Sequence, residues 1–302
     1  MAVPALQAEA LLTWRRALLQ ATGGEAADLD WLLDLEGGLR WRDLQALRLH
    51  PRRPVRLDCS LDHLEALWRR YRHEGLPLQY LIGRCPWRDL ELSVGPGVLI
   101  PRQETESLVD LAVSLWPASS APTHWADLGT GSGCLAVALA GLWPAARGLA
   151  VDISDEALRL ATANVLQAGV GHGVTLLQGA WWEPLRPWWG QLDLVVANPP
   201  YIPSDVVEQL DPVVHAHEPR LALDGGVDGL DCLRAVLVGA AAALAPGGWL
   251  LVEHHHDQSA AVMRLYRAAG LVAVRAHPDL EGRARFVVGR RPEAVHSADG
   301  TP

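Results

Sequence analysis

The stretch Asn198-Pro199-Pro200-Tyr201 leaves an apolar run, Leu192–Ala197, through two consecutive prolines. A turn needs only one. Asparagine supplies a carbonyl acceptor on a short stem and cannot abstract a proton. Proline fixes φ and has no N–H, so the segment is stiff and presents carbonyl oxygens without a competing donor. Asn198 Oδ1 and a backbone carbonyl in the Pro-Pro segment could therefore hold the two N–H groups of a planar amide or aryl amine. The nitrogen lone pair, normally delocalised, would then be aimed at an electrophile, and the positive charge growing on nitrogen would be stabilised. This is an oxyanion hole with its polarity reversed. Tyr201 can pack against the planar group, and the proton should leave only after nitrogen has reacted. Read alone, the same residues make a Pro-rich turn with Asn as its cap.

A second constellation lies upstream, at Asp127-Leu128-Gly129-Thr130-Gly131-Ser132-Gly133, where a strand runs into a helix. Glycines at such a turn let the backbone approach a ligand closely. The spacing is G-x-G-x-G rather than the dinucleotide G-x-G-x-x-G, and it lacks the Gly-Lys-Ser/Thr ending of a phosphate loop. Asp152 ends the next strand, 19 positions beyond Gly133, where an open α/β sheet places the acid that accepts ribose hydroxyls. Together these features describe an adenosine-type ligand with no pyrophosphate to cradle, which fits S-adenosylmethionine (SAM). The site expected from spacing is Gly129, Thr130, Gly131, Ser132 and Gly133 with Asp152, opposite Asn198. The reaction it suits is methyl transfer from a sulfonium to a planar nitrogen.

These residues need a sheet to position them. From Gln103 onward, strands alternate with helices. Strands are expected at His124–Leu128, Gly148–Val151, Val174–Leu177, Leu192–Ala197, Trp249–Glu253, Val272–Ala276 and Arg285–Val288. Helices are expected at Cys134–Leu142, Ser154–Ala168, Gly229–Leu244 and Ser259–Ala269. Such alternation predicts an α/β fold with a mostly parallel sheet covered on both faces. Before it, residues 1–75 read as a bundle of short amphipathic helices, Ala5–Ala21, Asp28–Glu36, Arg40–Leu49 and Leu61–His73. Ser60 caps the last of these and Gly75 follows its end. No titratable constellation in the bundle suggests chemistry, so substrate docking or packing is its expected role. Residues 76–102 alternate and carry Gly95-Pro96-Gly97, which suggests a β-hairpin linker. Residues 103–290 form the main domain, and 291–302 a polar, disordered tail.

Composition narrows the partners. The chain has 302 residues, 49% of them hydrophobic, with 13 Trp, one Phe and no Lys. Its formal net charge of −9 and lack of a basic stripe argue against direct nucleic-acid binding. Arg52-Arg53 and Arg69-Arg70 read as solvated charge. Cys59, Cys85, Cys134 and Cys232 have no paired spacing, as expected of a reducing cytoplasm without structural zinc. No signal pattern or membrane-length apolar run is found. No apolar seam is left over, so a monomer is expected.

The motifs in this order resemble the release-factor glutamine methyltransferase family (PrmC/HemK). The resemblance spans nearly the whole chain: PLQYLIG (77–83), PGVLIPRQETE (96–106), DLGTGSGCLAVALA (127–140), AVDIS (150–154), ANPPYIP (197–203), EPRLALDGGVDGL (218–230) and APGGWLLVE (245–253). The PGVLIPR and EPRLALDGGVDGL segments are the specific ones; the methyltransferase motifs are generic. The resemblance implies a seven-stranded, Rossmann-like SAM-dependent methyltransferase domain, preceded by a small helical domain and a β-hairpin linker. It implies methylation of the amide nitrogen (N5) of the glutamine in the Gly-Gly-Gln loop of peptide chain release factors, as protein partners, with S-adenosylhomocysteine as product.

By position, Gly129–Gly133, Asp152 and Asn198 would contact SAM, with Trp181 beside the adenine. Asn198, Pro199, Pro200 and Tyr201 would hold the substrate glutamine, and Asn198, Pro199 and Tyr201 form the catalytic set. No metal is implied. Three positions depart from the family pattern. Ala180 stands where Asp is usual, Gln103 replaces a proline, and His254-His255-His256 follows Glu253 where Glu-x-Gly is usual. The histidines read as a solvated strand end rather than as metal ligands. Three other readings stay open: methylation of a ribosomal-protein glutamine, methylation of adenine N6 in nucleic acid, and an inactive SAM-binding regulator.

Overall fold

The computed structural model describes residues 4–117 and 120–294, so most of the expected tail lies outside the described residues. The chain forms two compact units, Met1–Gly83 and Arg84–Pro302. The expected 76–102 linker is thus divided between them.

The first unit contains α1 (Ala8–Thr22), α2 (Ala26–Leu35), α3 (Trp41–Leu47), α4 (Leu61–Glu74) and α5 (Leu78–Ile82). A two-residue ladder, β1 (Leu6–Gln7) against β2 (Pro54–Val55), was not legible in the sequence. Leu11, Leu29, Leu32, Leu33, Leu64 and Trp68 form its fully buried core. The Ser60 hydroxyl accepts from His63 N–H, and Gly75 closes α4 at φ 64°. Arg69 and Arg70 each pair with a glutamate four residues away on α4, as solvated helix charges do.

The second unit begins with a hairpin of β3 (Arg84–Trp87) and β4 (Leu90–Ser93). Its turn is Arg88-Asp89, with Arg88 at φ 55°; Gly95-Pro96-Gly97, expected to carry the turn, lies beyond β4. There follow α6 (Glu106–Ser114), β5 (His124–Leu128), α7 (Cys134–Leu142), β6 (Arg147–Asp152), α8 (Asp155–Gln167), β7 (Val174–Gln178) and β8 (Leu192–Ala197). Next come α9 (Ser204–Val207), α10 (Pro212–His217), α11 (Asp231–Ala243), β9 (Leu244–Glu253), α12 (Ser259–Ala268), β10 (Val272–Pro278) and β11 (Ala284–Arg290). The sheet order is β10-β11-β9-β8-β5-β6-β7. Strands β5 to β9 are parallel, and β11 runs antiparallel to both β9 and β10.

Alternation along each strand sorts residues between two cores. Ala126, Leu128, Val195, Leu250 and Val252 face α11 and α12. Trp125, Leu194, Val196 and Leu251 face α6 and α7. Period-2 alternation here carries apolar residues on both faces because helices cover both. Trp125 is fully buried and lies in register beside Gly148 of β6. A Cβ added at Gly148 would meet its indole at 2.1 Å.

Two carboxyl groups are buried where strands meet their carboxyl-end loops: Asp127 in β5 and Glu253 in β9, each 1% exposed. Burial pushes both up to about 7. At Asp127 the Thr130 hydrogen bond opposes this and the nearby Asp152 charge adds to it. At Glu253 hydrogen bonds from Thr105 and Tyr201 oppose it. Each holds its proton in the fold at a pH where the unfolded chain has released it. The stability they contribute is therefore fully present below the ordinary carboxylate range and is lost as pH rises through about 7. Melting curves across that range should show wild type losing stability on its alkaline side, and Asp127→Asn and Glu253→Gln losing less. A second expectation concerns the core. Gly148→Ala should cost about 1–3 kcal/mol by overpacking against Trp125, read as a lowered urea midpoint; Trp125→Phe should recover part of it.

Candidate active site

Strands β5 and β8 are neighbours, with Leu128 beside Ala197. β5 connects onward to β6 on one side, and β8 to β9 on the other. Their following residues, Gly129 and Asn198, therefore open at the same switch point, where open α/β sheets bind ligands. The structure brings Gly129, Thr130, Gly131, Ser132, Asp152, Trp181, Asn198 and Pro200 onto the wall of one cleft.

The glycine loop is held from below. Gly129 N–H and Thr130 N–H both donate to Val151 O, at 2.9 Å. Thr130 Oγ1 donates to Asp127 Oδ2 at 2.6 Å. Gly133 does not line the cleft; it allows close packing of the following helix, since a Cβ there would lie 3.1 Å from the Ala161 backbone of α8. Asp152 Oδ2 accepts from Gly131 N–H at 2.8 Å and Oδ1 from Ser154 N–H at 2.9 Å. Burial raises its pKa, while these backbone donors favour the carboxylate. Trp181 takes the left-handed conformation, φ 48°, unusual for a bulky residue. Its ring lies against Gly129, where a Cβ would stand 3.4 Å away.

A second cavity adjoins the first. Asn198, Pro199, Tyr201, Ile202, Leu210 and Val214 are among its lining residues. Leu99, Arg102, Asn198 and Ala222 line both. Asn198 thus stands on the shared wall. Its Nδ2 donates to Thr105 Oγ1 at 3.0 Å. Thr105 Oγ1 donates to Glu253 Oε2 at 2.7 Å, and Tyr201 OH donates to Glu253 Oε1 at 3.2 Å. Burial, then the Glu253 charge, raises the Tyr201 pKa, so the phenol keeps its proton.

The loop leaving Tyr201 is anchored to EPRLALDGGVDGL. Ile202 N–H donates to Leu223 O at 3.0 Å and Gly225 N–H to Ile202 O at 2.8 Å. Gln258 Nε2 donates to Tyr201 O at 2.9 Å. At Gly229, φ 71°, a Cβ would lie 2.3 Å from that same carbonyl, so this approach requires glycine. Across the cleft, Arg102 Nη2 donates to Glu218 Oε1 at 2.6 Å, joining the two family-like segments.

Several groups here carried no role in the sequence reading. Thr105 and Glu253 lay inside quoted motifs without an assigned contact. Asn164, buried on α8, donates to Ser132 O at 2.8 Å and Ser93 O at 2.9 Å. Its one outward signal is a carboxamide on the apolar face of Leu160, Ala161 and Val165. His254 corrects the reading of a solvated strand end. It is 0% exposed and bonds His255 O and Ser259 Oγ, with its pKa lowered by burial. In the helical unit, Glu36, Cys59 and His63 bring one potential ligand atom each within 4.8 Å.

A family model described as a methyltransferase small domain matches residues 110–217. A release factor glutamine methyltransferase of Prochlorococcus marinus is 50% identical over 286 residues, 94% of this chain and 97% of its own length. The protein of that name from Thermosynechococcus vestitus is 42% identical over 282 residues, 92% of this chain and 96% of its own. Among solved structures, the hMettl16 catalytic domain, in complex with hairpin 6 of the MAT2A 3′UTR, has a TM-score of 0.53. It covers 80% of this chain and 84% of its own at 15% identity, a likeness of fold. With such identity over nine-tenths of its length, the chain belongs to the release factor glutamine methyltransferase family.

Proposed function

We propose that this protein transfers a methyl group from SAM to the side-chain amide nitrogen of the glutamine in the Gly-Gly-Gln motif of peptide chain release factors. The observation that carries the reading is the place of Asn198 on the wall common to two cavities. One cavity suits a cofactor and the other a planar amide.

The first cavity fits SAM by its donor set. Asp152 offers a carboxylate to vicinal hydroxyls, Trp181 and Ile153 offer apolar surface to a base, and Gly129 and Gly131 leave the backbone bare. When bound, SAM supplies an electrophilic methyl group on a sulfonium. On the other side, Asn198 Oδ1 and the Pro199 carbonyl would accept the two N–H groups of glutamine, with Tyr201 against the amide plane. These acceptors orient the nitrogen and stabilise its growing positive charge. Asn198 is no base, so the proton passes to solvent after nitrogen has become acidic.

The reading extends to a cytoplasmic monomer that does not bind nucleic acid directly. The four cysteines are free thiols, the formal net charge is −9, and among the described residues no helix is long and apolar enough to cross a membrane.

Incubating the purified chain with SAM and a bacterial release factor should add the mass of one methyl group to the Gly-Gly-Gln glutamine. No methylation with SAM binding intact would overturn the proposal. Asn198→Ala should slow turnover about a hundredfold, roughly 3 kcal/mol of transition-state stabilisation. Asp152→Asn should instead weaken SAM binding about tenfold in calorimetry, because one ribose acceptor becomes a donor.

A further inference from the structure

The chain of hydrogen bonds behind Asn198 has a direction, and that direction decides which end of the carboxamide faces the reacting amide. Above a pH of about 7, where Glu253 has released its proton, its carboxylate can only accept. Both groups that meet it, Thr105 Oγ1 at 2.7 Å and Tyr201 OH at 3.2 Å, must then donate. The single hydroxyl proton of Thr105 is committed to Glu253, so towards Asn198 that oxygen can only accept. A carboxamide facing an acceptor presents its NH₂, and the Asn198 Nδ2 to Thr105 Oγ1 distance is 3.0 Å. Oδ1 is left on the other side, and among the described residues it has no protein hydrogen-bond donor. A rotated carboxamide would put NH₂ where two N–H donors are to be bound, and the site would repel its substrate.

We propose that Thr105 and Glu253 are positioning residues that fix the carboxamide of Asn198 with its oxygen toward the substrate nitrogen. This inference rests on the proposed amide methylation, but its geometry can be read without it. Both residues are nearly inaccessible, 2% and 1% exposed, and neither belongs to the Asn-Pro-Pro-Tyr stretch. Burial opposes the carboxylate form of Glu253 most, and Glu104 adds to this, while the hydrogen bonds from Thr105 and Tyr201 and the charge of Arg285 favour it; the buried Cys134 thiol lies within its field. Arg285 is itself held by Asp279 at 2.8 Å, so its charge is fixed in place. Tyr201 gains from the same carboxylate, which links the two side chains expected to touch the substrate amide.

The experiment compares Thr105→Val, Thr105→Ser and Glu253→Gln with the wild type, using SAM and a release factor at a pH above about 7, where Glu253 is ionised. Valine keeps the shape and removes the hydroxyl. Thr105→Val should lower kcat at least tenfold while KM for the release factor and Kd for SAM stay within about twofold. Thr105→Ser should recover most of that loss. Glu253→Gln should also lower kcat, and the double variant should lose less than the product of the two single losses, since both changes remove the Thr105–Glu253 bond. Independently of turnover, NMR should find one Asn198 side-chain amide proton protected from exchange in wild type and Thr105→Ser but not in Thr105→Val. If Thr105→Val keeps kcat within twofold, or Thr105→Ser is equally slow, or the NMR pattern does not follow the hydroxyl, the positioning role is wrong. Wild-type protein inactive on release factors with the NMR pattern intact would overturn the substrate reading and leave the positioning inference standing.

Discussion

The whole site depends on one topological constraint: adjacent parallel strands β5 and β8 end side by side, and their connections depart in opposite directions. A loop from each must therefore open into the same crevice, with no helix crossing between them. The register places Leu128 beside Ala197, so Gly129 and Asn198 are the first residues past the sheet on either side. The remaining residues of the constellation reach the crevice from the next strands out. Asp152 comes from β6, Trp181 from the turn after β7, and Glu253 from the end of β9.

That arrangement buries polar groups, which is expensive unless they are satisfied. Thr105, Asp127, Thr130, Ser132, Asn164 and Glu253 are all nearly inaccessible. Their bonds form short local circuits. Asp127 holds Thr130 through Oδ2, its buried Oδ1 being left without a hydrogen-bond partner among the described residues; Asn164 holds Ser132 and Ser93, and Glu253 holds Thr105 and Tyr201. Each circuit fixes a loop that has no regular secondary structure. The sheet supplies the end points, and these side chains supply the rigidity that a site needs to act without reorganising.

The sheet was legible because its central strands, such as β5 and β8, are buried on both faces and read as apolar runs bounded by turn residues. The strand at Leu192–Ala197 and the helix at Cys134–Leu142 fall where the pattern puts them. Local turn chemistry was harder. The hairpin turns at Arg88-Asp89, where Arg88 adopts φ 55°, because strand register outweighs the pull of a glycine-proline pair further along. Helix α6 was missed, for Glu106–Ser114 follows a loop without a strong capping signal; Thr105 precedes it but bonds Glu253 rather than its own backbone. Gly129, Asp152 and Asn198 could be picked out because spacing from strand ends is a sequence property. Thr105, Glu218 and Asn164 act through partners 148, 116 and 71 positions away, and no periodicity reports such pairs.

The double proline takes its meaning from what surrounds it. A stiff segment holds its carbonyls steady only if both of its ends are held. Asn198 continues directly from β8, and the Tyr201 carbonyl is gripped by Gln258 and approached so closely by Gly229 that no side chain fits there. The outer side of the loop is thus spent on the fold. Asn198 lines the cleft and its Oδ1 has no protein donor among the described residues, so in the proposed orientation water can meet it there at little cost. A planar amide that replaces this water exchanges one set of hydrogen bonds for another of equal number. The gain comes only as nitrogen becomes positive, and for that reason such acceptors favour the transition state over the bound substrate.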